Sequence, residues 1–418
     1  MKVLLLENIS GVAVSQFEEA GFEVESLKGA LEETELVQRI RGASILGARS
    51  KTHISAAVLD ASPELVAVGA FCIGVDKIDR KASSERGIAV FNDPHSNSRS
   101  VAELAMGEII LLMRRTFEAS TRLHGGEWNK SSAGSHEVRG QTLGIVGYGK
   151  IGSQVSDLAE AMGMRVVFHD VAHVLARGNA RAVSFRELLE TSDVITLHVD
   201  GKSQNQDLFG EKEFSAMKEG ACLLNLSRGM VVDHEALARH LKSGKLAGAA
   251  IDVFPQEPES GGPFASPLRG LPNVILTPHV GGSTEEAQQN IGQFVSAKMI
   301  EYFQSGNSVM SVNLPQCHLD FDQNITANVT ANSVAGAEPD SGAGSHRLMH
   351  IHHNVPGILR AINDILADRG INIERQVLDT RGNLGYAIYD INRSCDNDLL
   401  QKLRSIPHTI RVRVPGKV

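Results

Sequence analysis

Arg228, Glu257 and His279 lie in three short segments: Asn225-Leu226-Ser227-Arg228-Gly229, Asp252-Val253-Phe254-Pro255-Gln256-Glu257-Pro258 and Thr277-Pro278-His279-Val280-Gly281-Gly282. A guanidinium can hold a carboxylate through two parallel hydrogen bonds. An imidazole can take a hydroxyl proton while hydride leaves the same carbon. A carboxylate can fix that ring and favour its protonated form. Singly, each residue has an ordinary reading: a surface charge, a loop acid, a structural histidine. To become a site they need a fold that brings their segments to one edge, and an acceptor for the hydride.

The acceptor has its own signature. Gly147, Gly149 and Gly152 form a G-x-G-x-x-G pattern, which alone is weak in a chain with 40 glycines. Here an apolar strand at 143–146 precedes it, a helix at 151–162 follows, and a second strand at 165–168 ends at His169-Asp170. That is the context of a dinucleotide site. Gly147 permits the tight turn, Gly149 lets the backbone approach a pyrophosphate, and Gly152 lets the helix pack on the sheet. The helix N-terminus meets the phosphate charge with free N–H groups. A carboxylate at Asp170 accepts from both ribose hydroxyls and repels a 2′-phosphate, so NAD is expected over NADP. Asp170 as a simple loop cap, with His173 and Arg177 nearby, remains the other reading.

These motifs require sheets to carry them. A chain of 418 residues is long enough for two or three domains. Apolar runs at 3–6, 43–48, 66–70 and 88–91 alternate with helical periodicity, the pattern of a parallel α/β sheet. A long helix is expected from near Arg99 to just before Gly125. From Gly140 a second α/β unit begins, with later strands at 193–199, 221–225, 248–253 and 274–277. The three segments above follow the last three of these, on the edge where open parallel sheets bind ligands. Residues 315–345 contain no Lys or Arg and read as a flexible linker. Its two Asn-x-Thr triplets, at Asn324 and Asn328, read as chance. The tail is β-α-β-β-α-β: 348–353, 357–368, 372–379, 385–391, 396–404 and 409–414, with Arg381-Gly382-Asn383 joining the central strands.

Composition excludes several classes. A net charge of −8 argues against general nucleic-acid binding. Tyr386 and Tyr389 face opposite sides of one strand, which leaves the tail no base-stacking platform. No apolar run reaches the ~20 residues that cross a bilayer, and residues 1–7 turn acidic too soon for a secretion signal. Cys72, Cys222, Cys317 and Cys395 show no paired spacing, so neither a metal site nor a disulfide framework is expected. Reduced thiols and a cytoplasmic location are.

Taken with Phe71-Cys72-Ile73-Gly74, Asn97-Ser98-Arg99-Ser100-Val101-Ala102-Glu103, Trp128-Asn129-Lys130 and Ala250-Ile251-Asp252-Val253-Phe254, these motifs resemble the D-2-hydroxyacid dehydrogenases, in the branch that carries a C-terminal ACT domain. The resemblance covers nearly the whole chain outside the linker. It implies an α/β fold with two doubly wound parallel-sheet domains and a ferredoxin-like ACT domain. The substrate domain would be discontinuous, 1–97 with 284–314, around a Rossmann-type NAD domain at 98–283. The linker would occupy 315–345 and the ACT domain 346–418. Catalysis would fall to Arg228, Glu257 and His279 in a cleft whose closure excludes water. Cofactor contacts are implied at Lys150, Ile151, Asp170, Leu226, Ser227, Asp252, His279, Val280, Gly281 and Gly282, with Leu226 standing where a small residue is expected.

The implied reaction is NAD-dependent oxidation of D-3-phosphoglycerate, the step that opens L-serine synthesis. A side activity reducing 2-oxoglutarate is compatible with it. Arg49 and Lys51 are the implied phosphate ligands, with Arg99 and Lys130 in reserve; Lys51 stands where a second Arg is expected. In the tail, His352, Asn354 and Asn372 are the implied serine ligands, Asn372 reaching from a neighbouring subunit of a homotetramer. His353 and Val355 replace an acid and an Arg of the family pattern. Two other readings stay open: a family member acting on glycerate or D-lactate, and a non-enzymatic NAD-binding sensor. Against the sensor stand the complete trio and the lack of a Lys/Arg-rich run.

Overall fold

Apolar runs buried on both faces build the inner strands of the first sheet, as parallel strands covered by helices require, with the polar strand Glu23–Ser26 at one edge. Its strands are β1 (Lys2–Leu5), β2 (Glu23–Ser26), β3 (Ala43–Ala48), β4 (Ala67–Ala70) and β5 (Ala89–Asn92), all parallel, in the order β2-β1-β3-β4-β5. Every residue of β3, β4 and β5 is buried. The order reverses between β1 and β3, which are hydrogen-bonded neighbours whose connections leave in opposite directions. A crevice therefore opens above their carboxyl ends.

The computed structural model describes residues 1–258, 262–320 and 346–416. Its chain divides into two units, Met1–Pro94 with Gln288–Val418, and His95–Ala287.

The second unit holds a seven-stranded parallel sheet. Its strands are β6 (Thr142–Val146), β7 (Arg165–His169), β8 (Arg181–Ala182), β9 (Val194–Leu197), β10 (Ala221–Asn225), β11 (Leu246–Ile251) and β12 (Val274–Leu276), in the order β12-β11-β10-β9-β6-β7-β8. The reversal lies between β6 and β9, so the Gly-rich turn after β6 sits at that sheet's own switch point. Helix Ser98–Met113 lays Val101, Ala105, Ile109 and Leu112 against it, in one cluster with Leu224, Ala250 and Ile275.

One expectation fails here. The single helix from Arg99 to Gly125 is two, Ser98–Met113 and Thr116–His124, broken at Arg115 with φ +50°. The break has takers for the carbonyls that a helix end leaves unpaired. His136 N–H donates to the Met113 carbonyl (2.8 Å), and the Ser135 hydroxyl to that of Arg114 (3.0 Å).

In the first unit the tail forms β13 (His346–His353), β14 (Ile373–Arg381), β15 (Leu384–Ile391) and β16 (Thr409–Arg413), antiparallel in the order β14-β15-β13-β16. Helices Ile358–Asp368 and Asn397–Arg404 cover one face, where Leu348, Ile362, Tyr389 and Leu399 cluster. Met349, Ile351, Tyr386 and Ile388 on the opposite face join the core of Val3, Phe17, Tyr302 and Phe303. Tyr386 and Tyr389 thus point to opposite sides, both fully buried.

Residues 315–320, which composition places at the start of the linker, are tied down through their backbone, with Pro315 and Cys317 buried and Gln316, His318 and Asp320 exposed. Cys317 and Ser308 exchange hydrogen bonds of 2.9 Å, and the carbonyls of Leu319 and Asp320 accept from the buried Arg347 guanidinium. Arg347 also pairs with buried Asp390 at 2.7 Å. The rest of the expected linker, 321–345 with Asn324 and Asn328, lies outside the described residues. Among the described residues no helix is long and apolar enough to cross a membrane, and no group of three His, Cys, Asp or Glu side chains could hold a metal.

Candidate active site

Adjacent parallel strands deliver the trio. Arg228 follows β10, Glu257 follows β11 and His279 follows β12, all on the carboxyl edge of one sheet. Glycine allows the first two loops to touch, since a Cβ on Gly229 would strike the Phe254 carbonyl. The backbone at Arg228 is held from the strand end: Asn225 Nδ2 donates to its carbonyl (3.0 Å), while Asn225 Oδ1 accepts from Ser227 N–H (3.1 Å) and hydroxyl (2.7 Å).

His279 Nδ1 lies 2.8 Å from Glu257 Oε2. The other Glu257 oxygen accepts Phe254 N–H at 3.0 Å, so the carboxylate is anchored before it meets the ring. The hydrogen bond to Glu257 raises the His279 pKa above the ordinary imidazole value, against the opposing effect of burial. Burial pushes Glu257 up, but the His279 bond and the Phe254 N–H outweigh it and hold Glu257 below the usual carboxylate range.

Asp252 builds the turn that carries His279. It is 1% exposed, and its carboxylate accepts from the Thr277 hydroxyl (2.6 Å), Val280 N–H (2.8 Å) and Gly281 N–H (2.8 Å). Its backbone carbonyl accepts His279 N–H at 2.8 Å. This grip holds His279 at φ +54°, a left-handed conformation that side chains rarely adopt. Leu226 is buried beside Gly281, in the cluster with Val101 and Ala105. Gly282 lies against the Asn97 side chain.

The Gly-rich turn fits a dinucleotide on three counts. Gly147 has φ +90°, and a Cβ there would strike the His198 carbonyl. A Cβ on Gly152 would strike the Gly147 carbonyl, so the helix Lys150–Ala161 can approach only without one. Gly149, at that helix's N-terminus, faces open space, where a phosphate can reach the backbone. Asp170 ends β7 with Oδ2 accepting Tyr148 N–H (2.7 Å) and Oδ1 accepting Ala172 N–H (2.8 Å). Lys150 Nζ lies against the His95 ring, and Ile151 packs on the helix cluster.

The cations spread more widely. Arg49 is half-buried and Lys51 exposed, in the loop after β3 of the first unit. Arg99 is exposed and already paired with Glu103 at 2.6 Å; Lys130 is exposed. In the tail, Asn354 and Asn372 are exposed, whereas His352 is 3% exposed with its ring against Gly385 and its Nδ1 3.2 Å from His350 Nδ1. All four cysteines are free thiols. Burial pushes Cys72 up to about 11 and the others to about 12, so none is a ready nucleophile. Sequence reading passed over Glu7, seen only as the acid ending the first apolar run.

Comparison with known proteins shows the family. The family model for the D-isomer specific 2-hydroxyacid dehydrogenase NAD binding domain matches residues 106–281, and that for the AHAS small subunit-like ACT domain matches 348–411. The D-3-phosphoglycerate dehydrogenase of Haemophilus influenzae is 46% identical over 417 residues, and that of Escherichia coli K12 46% over 419; each match covers 99% of this chain and 97% of the relative. Among solved structures, the TT0316 protein from Thermus thermophilus aligns with TM-score 0.66 at 33% identity, covering 72% of this chain and 96% of that one. The NAD-complexed D-isomer specific 2-hydroxyacid dehydrogenase of Lactobacillus delbrueckii ssp. bulgaricus aligns with TM-score 0.64 at 26% identity, over the same shares.

Proposed function

The chain belongs to the D-3-phosphoglycerate dehydrogenases, NAD-dependent D-2-hydroxyacid dehydrogenases, here with a C-terminal ACT domain, and from that premise we propose which side chains perform each task. NAD, when bound, supplies the hydride acceptor. The turn at Gly147 and Gly149 would hold its pyrophosphate, with Gly152 letting the helix approach, and Asp170 would hold its adenosine ribose. The loops at Leu226–Ser227 and Val280–Gly282 would border the nicotinamide end. The fork of Arg228 binds the substrate carboxylate. His279, its Nδ1 committed to Glu257, uses Nε2 to take the proton of the 2-hydroxyl as hydride departs from C2. Glu257 orients the ring and stabilises the imidazolium that forms. The observation that carries this reading is the 2.8 Å bond between Glu257 and His279.

Arg49, with Lys51 beside it, is assigned the distal phosphate. Its loop follows β3, at the switch point of the first sheet, the kind of place where open parallel sheets bind ligands. Arg99 is less suited because Glu103 already neutralises it. A 2-oxoglutarate reductase activity follows the same logic, with a second carboxylate in place of the phosphate. The test is NAD reduction with 3-phosphoglycerate beside unphosphorylated D-glycerate. Arg49→Ala should lower kcat/KM for the phosphorylated substrate far more than for the other. Equal losses on both would remove Arg49 as the phosphate ligand.

The ACT domain supports an amino-acid effector, and L-serine, end product of the route this reaction opens, is the proposed one. Asn354, and Asn372 of a neighbouring subunit in a homotetramer, would bind it. His352 would need to turn out from Gly385 to join them. The four free thiols fit a reducing, cytoplasmic setting.

A further inference from the structure

Glu7 leaves the end of β1 with φ +63°, followed by Asn8 at φ +54°. Two consecutive left-handed residues without glycine need external restraint. Their N–H groups supply some of it, donating to the carbonyls of Gly29 and Leu27 at 3.0 Å each. The Glu7 side chain is buried, 7% exposed, and points across the crevice to the loop after β3. There Oε2 accepts the N–H groups of Ser50 and Lys51, each at 3.0 Å, and Oε1 accepts that of Thr52 at 2.8 Å.

Successive backbone N–H groups that converge on one point form an anion-binding concavity. In this protein the concavity is filled from within by a carboxylate of the same domain. Two consequences follow. The backbone of 50–52 is no longer available to a substrate anion, so a phosphate at this loop must be met by side chains. The loop is also fixed in place at the positions that bear those side chains, Arg49 and Lys51. From β4's side the Cys72 thiol, whose single proton is shared between two carbonyls, lies 3.1 Å from that of Gly74 and 3.5 Å from that of Arg49. An isolated surface loop has no use for three charge-assisted bonds to a buried acid, because each orders chain at an entropic cost. A loop that must present cations to a bound anion in a fixed arrangement does.

We propose that Glu7 is a positioning residue that sets specificity for the phosphorylated substrate, by holding the Arg49–Lys51 loop through three backbone N–H groups. The inference rests on the assignment of that loop to the phosphate.

Glu7→Gln tests it with almost no change in shape. Whichever way the amide lies, its NH2 cannot accept, so at least one of the N–H groups loses its acceptor. The ratio of kcat/KM for 3-phosphoglycerate to that for D-glycerate should fall by ~10-fold or more, a tenfold loss being the scale of one orphaned buried bond. NAD affinity, set in the other unit, and the melting temperature report whether the variant has folded. Hydrogen exchange gives an independent readout: the amides of 50–52 should be protected in the unaltered enzyme and released by the substitution. If those amides exchange as freely as exposed loops in the unaltered enzyme, Glu7 does not hold the loop. If the folded variant keeps the wild-type substrate ratio while Arg49→Ala loses it, the phosphate assignment stands and the role of Glu7 falls. If Arg49→Ala also keeps the ratio, the phosphate assignment itself is overturned.

Discussion

At the scale of single residues, the proposed chemistry turns on how Glu257 tunes His279. Oxidation needs the neutral ring, so the rate falls on the acid side as His279 gains its proton. Glu257 holds that pKa above the ordinary imidazole value. Removing its charge in Glu257→Gln lowers the pKa, and the acidic limb of the pH–rate profile should move to lower pH. For reduction, which needs the protonated ring, the alkaline limb should move the same way. His279→Ala should lower kcat by ~10²-fold or more while NAD still binds, the usual contribution of general acid–base catalysis. An acidic limb that stays in place in Glu257→Gln would take Glu257 out of the mechanism.

Among the elements, helix Ser98–Met113 carries an unusual load. Glu108 on its buried side is 1% exposed, and neither carboxyl oxygen has a hydrogen-bond partner among the described residues. Burial, and then the charge of Asp252, push its pKa up to about 8. The unfolded chain gives up this proton at the ordinary carboxylate value, ~4.3, so above it the folded state binds more protons. Stability should therefore drop as pH rises, by ~1.4 kcal/mol per unit, and level off above the folded pKa. Glu108→Gln removes that contribution. Its melting temperature should decline less than the wild type's between about pH 5 and about pH 8. Parallel melting profiles would mean that Glu108 is ionised and paired in the native protein.

For the whole molecule, the proposed regulation would depend on the tail packing in the unit that bears Arg49. One face of its sheet shares a core with Tyr302 and Phe303, and Tyr386 donates from that face to the Gly306 carbonyl at 2.6 Å. Arg413 donates to the Tyr302 carbonyl at 2.6 Å. The opposite end of β13 leads to exposed Asn354 and to Gly357, where φ +96° opens the following helix. An effector bound there acts only if it prefers the less active arrangement. Millimolar serine should slow turnover of the unaltered enzyme, and Asn354→Ala should remain active but insensitive. A calorimetric titration without heat, together with unchanged rates, would assign the tail another ligand or a purely structural role.

Much of this was legible without coordinates, for reasons that are local. Gly147 and Gly152 announce themselves because backbone sterics permit no other residue there, and Gly149 because its place at the helix start leaves the backbone open to a phosphate. The apolar runs mark parallel strands because both faces are buried. Once three strands are parallel, the residues that follow them must share an edge, which is why Arg228, Glu257 and His279 could be grouped from sequence. What sequence reading misplaced depended on distant partners. The helix breaks at Arg115 because residues 135 and 136 take its last carbonyls. Residues 315–320, polar by composition, are tied down because Ser308 and Arg347 satisfy their backbone. Periodicity and composition register neither kind of bond. Glu7 is the plainest case: an acid after a strand has no evident partner until β1 and β3 lie side by side. Strand order, which no local pattern encodes, brings its carboxylate to the three N–H groups it holds.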